Sequence, residues 1–383
     1  MPRPIENLTI HAFRGLRELE LQGLGRINLL VGPNNSGKTS VLEAIATFCR
    51  PLDVLEWVGA ARRREVKSSR APVQESLSWL FPRGQTTRSS DLFYGEASVS
   101  AQGGSFPVIE SLAVCEEMIP TDETESRISE DENEEESDSA YSAGLPTMVT
   151  ELRLSAKVRA ETALQFGADP ATGALSRKYD VWPNSRFSKS DETGAPALRV
   201  HTVSAIAHRV EVLQARELSL ITLAEHKPMV LELMRMFDES ITGLDILTSK
   251  FGYPTVYLHQ ERMGFSPLAS WGDGMRRALV MGMSLLSARG GVLLVDEIET
   301  AVHTSVLDTV FQWLVRACID FDVQLLATTH SLEAVDAMLS GGKVDLGEVA
   351  GYHLESAPEK TIARRYPGEL LRRLRLERGL DVR

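Results

Sequence analysis

The segment VGPNNSGKTSVLEAI, residues 31–45, constrains this chain more tightly than any other stretch. Gly32-Pro33-Asn34-Asn35-Ser36-Gly37-Lys38-Thr39 fits the pattern GxxxxGK[ST]. It lies between an apolar run, RINLLVG, that reads as a buried strand and a stretch, TSVLEAIATFCR, with helical spacing that Pro51 ends. Strand, loop and helix in that order is the context the pattern needs. Glycines let the backbone wrap an anion. The amides of Asn34, Asn35, Ser36 and Gly37 and those opening the helix at Lys38, Thr39 and Ser40 then point at phosphates. Lys38 neutralises their charge, and the Thr39 hydroxyl reaches a divalent metal.

Such a loop needs an acid at the end of a neighbouring strand. VLLVDEIE supplies it: Asp296 is the candidate to hold Mg²⁺, and Glu297, one residue later, the candidate general base for an attacking water. Glu299 is the poorer candidate, because strand alternation would align it with Glu297 only if the strand continued. In ATTHS, His330 follows an apolar strand just before a helix. An isolated histidine is commonly structural, but this one is placed to sense a γ-phosphate or the attacking water. In SWGDGMRRAL, Ser270, Gly272, Asp273 and Gly274 open a helix about 22 residues before Asp296. Since one loop already serves one nucleotide, this second anion-binding turn is expected to serve a neighbouring copy, which implies a head-to-tail homodimer.

The remaining sequence sets the frame. A chain of 383 residues with 43% hydrophobic content has room for about two or three domains. No apolar run approaches the roughly 18 to 20 residues that span a bilayer, and the N-terminus lacks a signal-peptide core, so a cytoplasmic protein without membrane contact is expected. Cys49, Cys115 and Cys318 are far apart and read as buried thiols. The net charge of -12 is local: from Glu116 to Asp138 twelve acidic residues face only Arg127, which leaves the remainder near neutral. That run, residues 116–139, reads as a solvated, disordered loop, with a regulatory or DNA-mimicking role as the alternative. Basic clusters at Arg62, Arg63, Arg64 and Lys67 and in the C-terminal tail fit either a solvated face or a nucleic-acid contact.

Along the chain, LTIHAF and LRELELQGL suggest antiparallel strands. Residues 86–204 read as a β-rich insertion between an N-terminal lobe, 1–85, and a helical subdomain, 205–250, whose 211–241 segment is a helix pair broken at Pro228. The last part, 251–383, alternates helix and strand in the rhythm of a parallel sheet. The fold class is therefore α/β, a P-loop NTPase with a mixed sheet.

The phosphate loop, GDGMRR, LLVDEIETAVHTS and TTHS, in this order, with FRGL early and RRYPGELLRRLRLERGLDVR late, resemble the ABC-type ATPases that include RecF, the SMC proteins and the OLD-like ATPases. The likeness is strongest to small stand-alone "AAA family ATPase" members. It brackets the chain and leaves the middle uncovered. By that resemblance Lys38 and Thr39 contact ATP and Mg²⁺, Ser270 and Gly272 to Gly274 act in trans, Asp296 is the Walker B acid, Glu297 the base and His330 the switch histidine. The SxGxG signature differs from the transporter LSGGQ, and Ala301 and Val302 stand where many relatives carry asparagine-glycine or glycine-leucine. Gln74 is the candidate for the family's Q-loop. About fifty residues follow His330, too few for the TOPRIM nuclease of OLD proteins, so any cutting would fall to a partner.

The resemblance implies an ATP-driven switch that controls a separately encoded effector, a nuclease, toxin or reverse-transcriptase complex, in anti-phage defence. A RecF-like DNA repair ATPase and a nucleotide-sensing scaffold that sequesters a toxic partner are the competing readings. A GTPase is disfavoured by the lack of an NKxD motif.

Overall fold

The structure is a computed structural model that describes residues 2–65, 71–82, 92–118, 148–183, 185, 187, 195–210, 215–248, 252, 254–340, 345–357 and 359–383. Strands β1 (Asn7–Phe13), which alternates half-buried and buried residues as far as Ile10, and β2 (Leu16–Leu21) pair antiparallel. Strand β3 (Ile27–Val31) is buried at every position and leads through the phosphate loop into α1 (Lys38–Cys49). Helix α2 (Val54–Arg62) starts at Asp53, whose carboxylate accepts from Leu55 N at 2.9 Å, and α3 (Val73–Ser78) follows.

Strands β4 (Tyr94–Gln102), β5 (Val108–Met118), β6 (Val149–Val158) and β7 (Ala174–Val181) continue the antiparallel sheet, whose order is β2-β1-β4-β5-β6-β7. The boundary drawn at residue 86 therefore cuts through one sheet. β1 pairs with β4, and without β4 its outer edge would leave a row of main-chain groups unpaired. The upper boundary shifts too, because β8 (Val200–Val203) belongs to the other large sheet. Of the acidic run, Glu116 to Met118 end β5, so the loop reading is corrected there; residues 119–147 lie outside the described residues.

Next come α4 (Ala207–Val210), α5 (Ala215–Leu223) and α6 (Lys227–Arg235); Pro228 sits in the first turn of α6, where its missing N–H costs nothing. A three-stranded antiparallel sheet follows, which the sequence did not announce: β9 (Ile241–Thr248), β10 (Pro254–Gln260) and β11 (Gly264–Pro267). The helical subdomain is thus mixed. The chain continues with α7 (Asp273–Ser287), β12 (Val292–Val295), α8 (Thr304–Asp320), β13 (Gln324–Thr328), α9 (Leu332–Ser340), β14 (Val349–Ser356), β15 (Thr361–Pro367) and α10 (Gly368–Arg372).

The second large sheet has the order β15-β14-β3-β13-β12-β8, parallel except for the antiparallel edge strand β15. Leu29, Val31, Leu293, Val295, Leu325 and Ala327 point into one apolar core with the later helices, whereas Leu30, Leu294 and Leu326 point into a second core with α1 and the antiparallel sheet. Burial on both faces explains why these strands read as unbroken apolar runs. The register sets the site. Leu30 faces Thr328, Ala327 faces Val295 and Val295 faces Val203, so β3, β13, β12 and β8 end at one level. The phosphate loop, Thr329-His330, Asp296-Glu297 and Ser204 all leave the sheet along that carboxyl edge.

Candidate active site

The phosphate loop owes its path to glycine. Gly32 has φ +141°, and a Cβ there would lie 2.5 Å from Leu354 O; Gly37 has φ +94°, and its Cβ would lie 2.6 Å from Leu16 Cδ2. Asn35 also takes the left-handed region, at φ +63°. Gly37 is the N-cap of α1 and gives no side-chain hydrogen bond, so the first amides of the helix stay available to an anion. Asn34 and Asn35 are exposed, whereas Ser36 is buried and its Oγ has no hydrogen-bond partner among the described residues. A buried hydroxyl without a partner, two residues before a helix that starts without a side-chain cap, fits an anionic ligand. Lys38 is 6% exposed and donates from Nζ to Gly32 O (2.9 Å) and Pro33 O (2.8 Å), turned back on the loop itself. Burial pushes its pKa down, opposed by Asp296, Glu297 and Glu299.

The Thr39 hydroxyl lies 3.1 Å from both carboxylate oxygens of Asp296. Two residues 257 positions apart are thus brought into contact, and their donor set, one hydroxyl and one carboxylate, is what a hard divalent cation takes when phosphate and water fill its other positions. Among the described residues no group of three or more His, Cys, Asp or Glu could hold a metal alone, so the ligand's own phosphates would have to complete the shell. Thr328 locks the acids in place: its hydroxyl donates to Asp296 Oδ1 (2.6 Å) and accepts from Glu297 N (2.7 Å). Glu297 is held at φ +47°, a conformation that costs about 1–2 kcal/mol for a residue with a Cβ. Its Oε2 accepts from Thr300 Oγ1 at 3.0 Å.

The strand does not run on to Glu299, so the alignment with Glu297 that depended on it is absent. Glu299 Oε1 accepts from His330 N at 2.8 Å, while Oε2 is buried with no partner among the described residues. His330 is half-buried at the carboxyl edge, its carbonyl accepting from Arg383 Nη1 at 2.9 Å. Gln74 stands elsewhere. Its Nε2 donates to Met148 O and Val181 O, both at 2.9 Å, which ties α3 to the antiparallel sheet. By topology the residue that leaves the strand beside β12 is Ser204, and no glutamine lies between Ser204 and Arg209.

The signature turn opens α7. Ser270 is exposed and donates from Oγ to Pro267 O (2.7 Å), and Gly272 is exposed as the N-cap of α7 without a side-chain cap. Gly274 is pressed on the loop after the acids; a Cβ there would lie 2.6 Å from Ala301 O. Asp273 is taken up by Arg209 (2.9 and 2.7 Å) and Arg276 (3.2 Å).

The connection between turn and acids is a residue that sequence reasoning quoted but gave no role. Arg277, on α7 and fully buried, donates to Ser204 O, to Asp296 O at 2.7 Å and to Glu297 O at 3.3 Å. The signal was a charged residue on the apolar face of an amphipathic helix. Arg277→Leu would leave buried carbonyls without their donor, and is expected to lower stability by about 1–3 kcal/mol, read as a drop in the thermal midpoint; Arg277→Lys should recover part of it. An unshifted midpoint would contradict this role.

Within the ARRREVK cluster, Arg63 and Arg64 pair with carboxylates of their own chain. Arg63 pairs with Glu56 (3.2 Å); Arg64 donates to Glu43 and to Ser40 Oγ (2.9 Å), and Arg14 donates to the same buried Glu43 at 2.7 Å. Arg63 is half-buried, whereas Arg64 keeps 47% of its side chain exposed while it pairs with Glu43. Lys67 lies outside the described residues.

A parallel sheet that aligns a glycine-rich, lysine-bearing turn with an acidic pair and a threonine between them defines a P-loop ATPase domain. The sequence profile of the family described as "AAA domain, putative AbiEii toxin, Type IV TA system" matches residues 27–336, and the chain belongs to this family. Two uncharacterized proteins of Methanocaldococcus jannaschii are similar. One is 54% identical over 44 residues, 12% of this chain and 20% of that protein; the other is 30% identical over 112 residues, 29% of this chain and 98% of that protein. The DNA replication and repair protein RecF of Vibrio parahaemolyticus is 50% identical over 42 residues, 11% of this chain and 12% of RecF. The chain thus spans a fifth or less of two of these relatives. Among solved structures, an SMC head bound to the C-winged helix domain of ScpA aligns with TM-score 0.47 and 12% identity, covering 96% of this chain and 99% of that one. An SMC head with an extended coiled coil, bound to the C-terminal domain of ScpA from Pyrococcus furiosus, gives 0.48 and 12%, covering 99% and 100%. No helix among the described residues is long and apolar enough to cross a membrane.

Proposed function

We propose that this protein binds Mg·ATP at the Lys38 loop, hydrolyses it with Glu297 as general base, and uses the cycle to join and release two copies of itself. The observation that carries this reading is the meeting of Thr39 Oγ1 with the Asp296 carboxylate at 3.1 Å, one residue from Glu297. In it, the loop amides and Lys38 hold the phosphates, Thr39 and Asp296 hold Mg²⁺, and the metal's chemistry is to draw charge off the transferring phosphoryl group. Glu297 takes the proton of the attacking water, and His330, fixed through its amide by Glu299, reports on the γ-phosphate.

Ser270 and Gly272 support the head-to-tail dimer. They are exposed at the uncapped start of a helix, and no hydrogen bond joins them to their own phosphate loop among the described residues. In the dimer this turn faces the partner's nucleotide. The dimer would control a separately encoded effector, in keeping with the toxin system in the family's description, and anti-phage defence is the setting we favour. The similarity to RecF favours DNA repair as the second reading; stimulation of turnover by duplex DNA would select it.

Mixing two inactive variants tests the composite site. Ser270→Arg and Lys38→Ala should each be inactive alone. Mixed in equal amounts they should recover about a quarter of wild-type phosphate release, because about half of randomly paired dimers are mixed and each holds one intact composite site. No recovery from two well-folded variants would speak against a shared site.

A further inference from the structure

The segment that leaves β8 is tied to α7 at both ends. At its start Ser204 O accepts from Arg277, which also holds the carbonyls of Asp296 and Glu297; at its end Arg209 grips Asp273, at the opening of the signature helix. Val203 O, just before it, accepts from Asp296 N at 2.9 Å. This short stretch therefore connects the acid pair to the signature turn by main chain and by two arginines.

Between those two ties lies His208. Its side chain is 2% exposed, and neither ring nitrogen has a hydrogen-bond partner among the described residues. Nε2 stands 3.8 Å from Asp273 Oδ2, too far for a hydrogen bond. The charged groups around the ring are Arg209 on its own helix and Asp273, Arg276 and Arg277 on α7. Burial first and Arg277 second hold its pKa below the ordinary histidine value, with Asp273 opposing. The ring is neutral in this arrangement. An imidazolium would instead be drawn to Asp273 in competition with Arg209 and Arg276, and would repel Arg277 from the carbonyls that it clamps.

We propose that His208 is a positioning residue whose neutral ring keeps the signature helix and the Asp296-Glu297 pair in working register, so that protonating this one side chain slows nucleotide turnover. The inference rests on the ATPase reading of the site. It adds a specific acid-side control that the motifs do not carry.

The test compares full-length wild type, His208→Gln and Arg276→Gln between pH 5.5 and 7.5, using Mg·ATP as the probe. In wild type, kcat is expected to fall toward the acid end of this range, below the ordinary histidine value, with equilibrium Mg·ATP binding unchanged. His208→Gln should flatten that limb without changing KM. Arg276→Gln keeps the histidine and removes a neighbouring positive charge, so its limb should move to higher pH. A purely structural histidine would not link the limb to Arg276. Parallel limbs in all three proteins would overturn the proposal.

A nucleotide-free readout separates this from the site reading. Because the folded-state pKa lies below the unfolded one, the unfolded chain takes the proton first; His208 thus contributes stability that is complete above about pH 6.5 and is lost as the pH falls toward its folded value. His201, also depressed, by burial first and Arg50 second, is present in both proteins and cancels in the difference. The melting-temperature gap between wild type and His208→Gln should therefore vary across this pH window. A constant gap overturns the proposal even if ATP is hydrolysed. A varying gap with no ATP binding by wild type would instead remove the ATPase reading and keep His208 as a buried neutral ring. Should His208→Gln not fold, Arg276→Gln decides by whether its limb moves.

Discussion

Glu297→Gln is expected to lower ATP turnover by about 10²- to 10⁴-fold, the contribution of a positioned general base, while Mg·ATP binding persists. The reasons lie in how the residue is held. Its amide donates to Thr328 Oγ1, its carbonyl accepts from Arg277, and its carboxylate accepts from Thr300. Glutamine has the same shape and can still accept from Thr300, so the left-handed backbone at φ +47° and the Thr328 bridge should survive. What it loses is the ability to take a proton. If hydrolysis reopens the ATP-bound pair, this variant should accumulate dimers in ATP and return to monomers in ADP, read by light scattering after size-exclusion chromatography. Unchanged phosphate release would remove Glu297 from the role of base. Slow release without longer-lived dimers would separate hydrolysis from subunit exchange.

The parts of this site that were legible in the sequence are those written in local chemistry. The phosphate loop shows because its backbone needs glycine at Gly32 and Gly37, and because a wholly buried strand must precede it. Asp296 and His330 show because each follows an apolar run that could only be an inner strand, and the βαβ rhythm then aligns the strand ends. What was not legible depends on partners far along the chain. Nothing in LTIHAF says that β1 pairs with a strand some 90 residues later, so one sheet was read as two lobes. The β9–β11 sheet escaped because its strands are mostly half-buried and the two buried residues of β9, Ile241 and Leu244, stand three apart, which blurs the alternation. The ion pairs of Arg63 with Glu56 and of Arg64 with the buried Glu43 were not legible because composition cannot see a carboxylate brought up by the fold. The contact of Glu299 with the His330 amide and those of Arg277 with carbonyls were not legible because main-chain partners carry no side-chain signature.

Lys38→Ala is the second large effect. Lys38 is the cation of the phosphate loop, and its Nζ now satisfies itself on Gly32 O and Pro33 O, bonds that a bound triphosphate would replace with charge-assisted ones. Losing one or two such bonds to an anion should weaken nucleotide binding by about 10- to 100-fold. The fold should persist, because the alanine removes no apolar contact of either core. Circular dichroism melting would verify that.

Calorimetric titration of Mg·ATP into nucleotide-free full-length protein, run for wild type and Lys38→Ala side by side, reaches the central claim directly. Wild type should bind one ATP per chain, with affinity that drops when EDTA removes the magnesium, and the variant should bind far more weakly. No heat of binding from folded wild type, or equal affinity in both proteins, would contradict the account that a triphosphate sits between the Lys38 loop and Asp296.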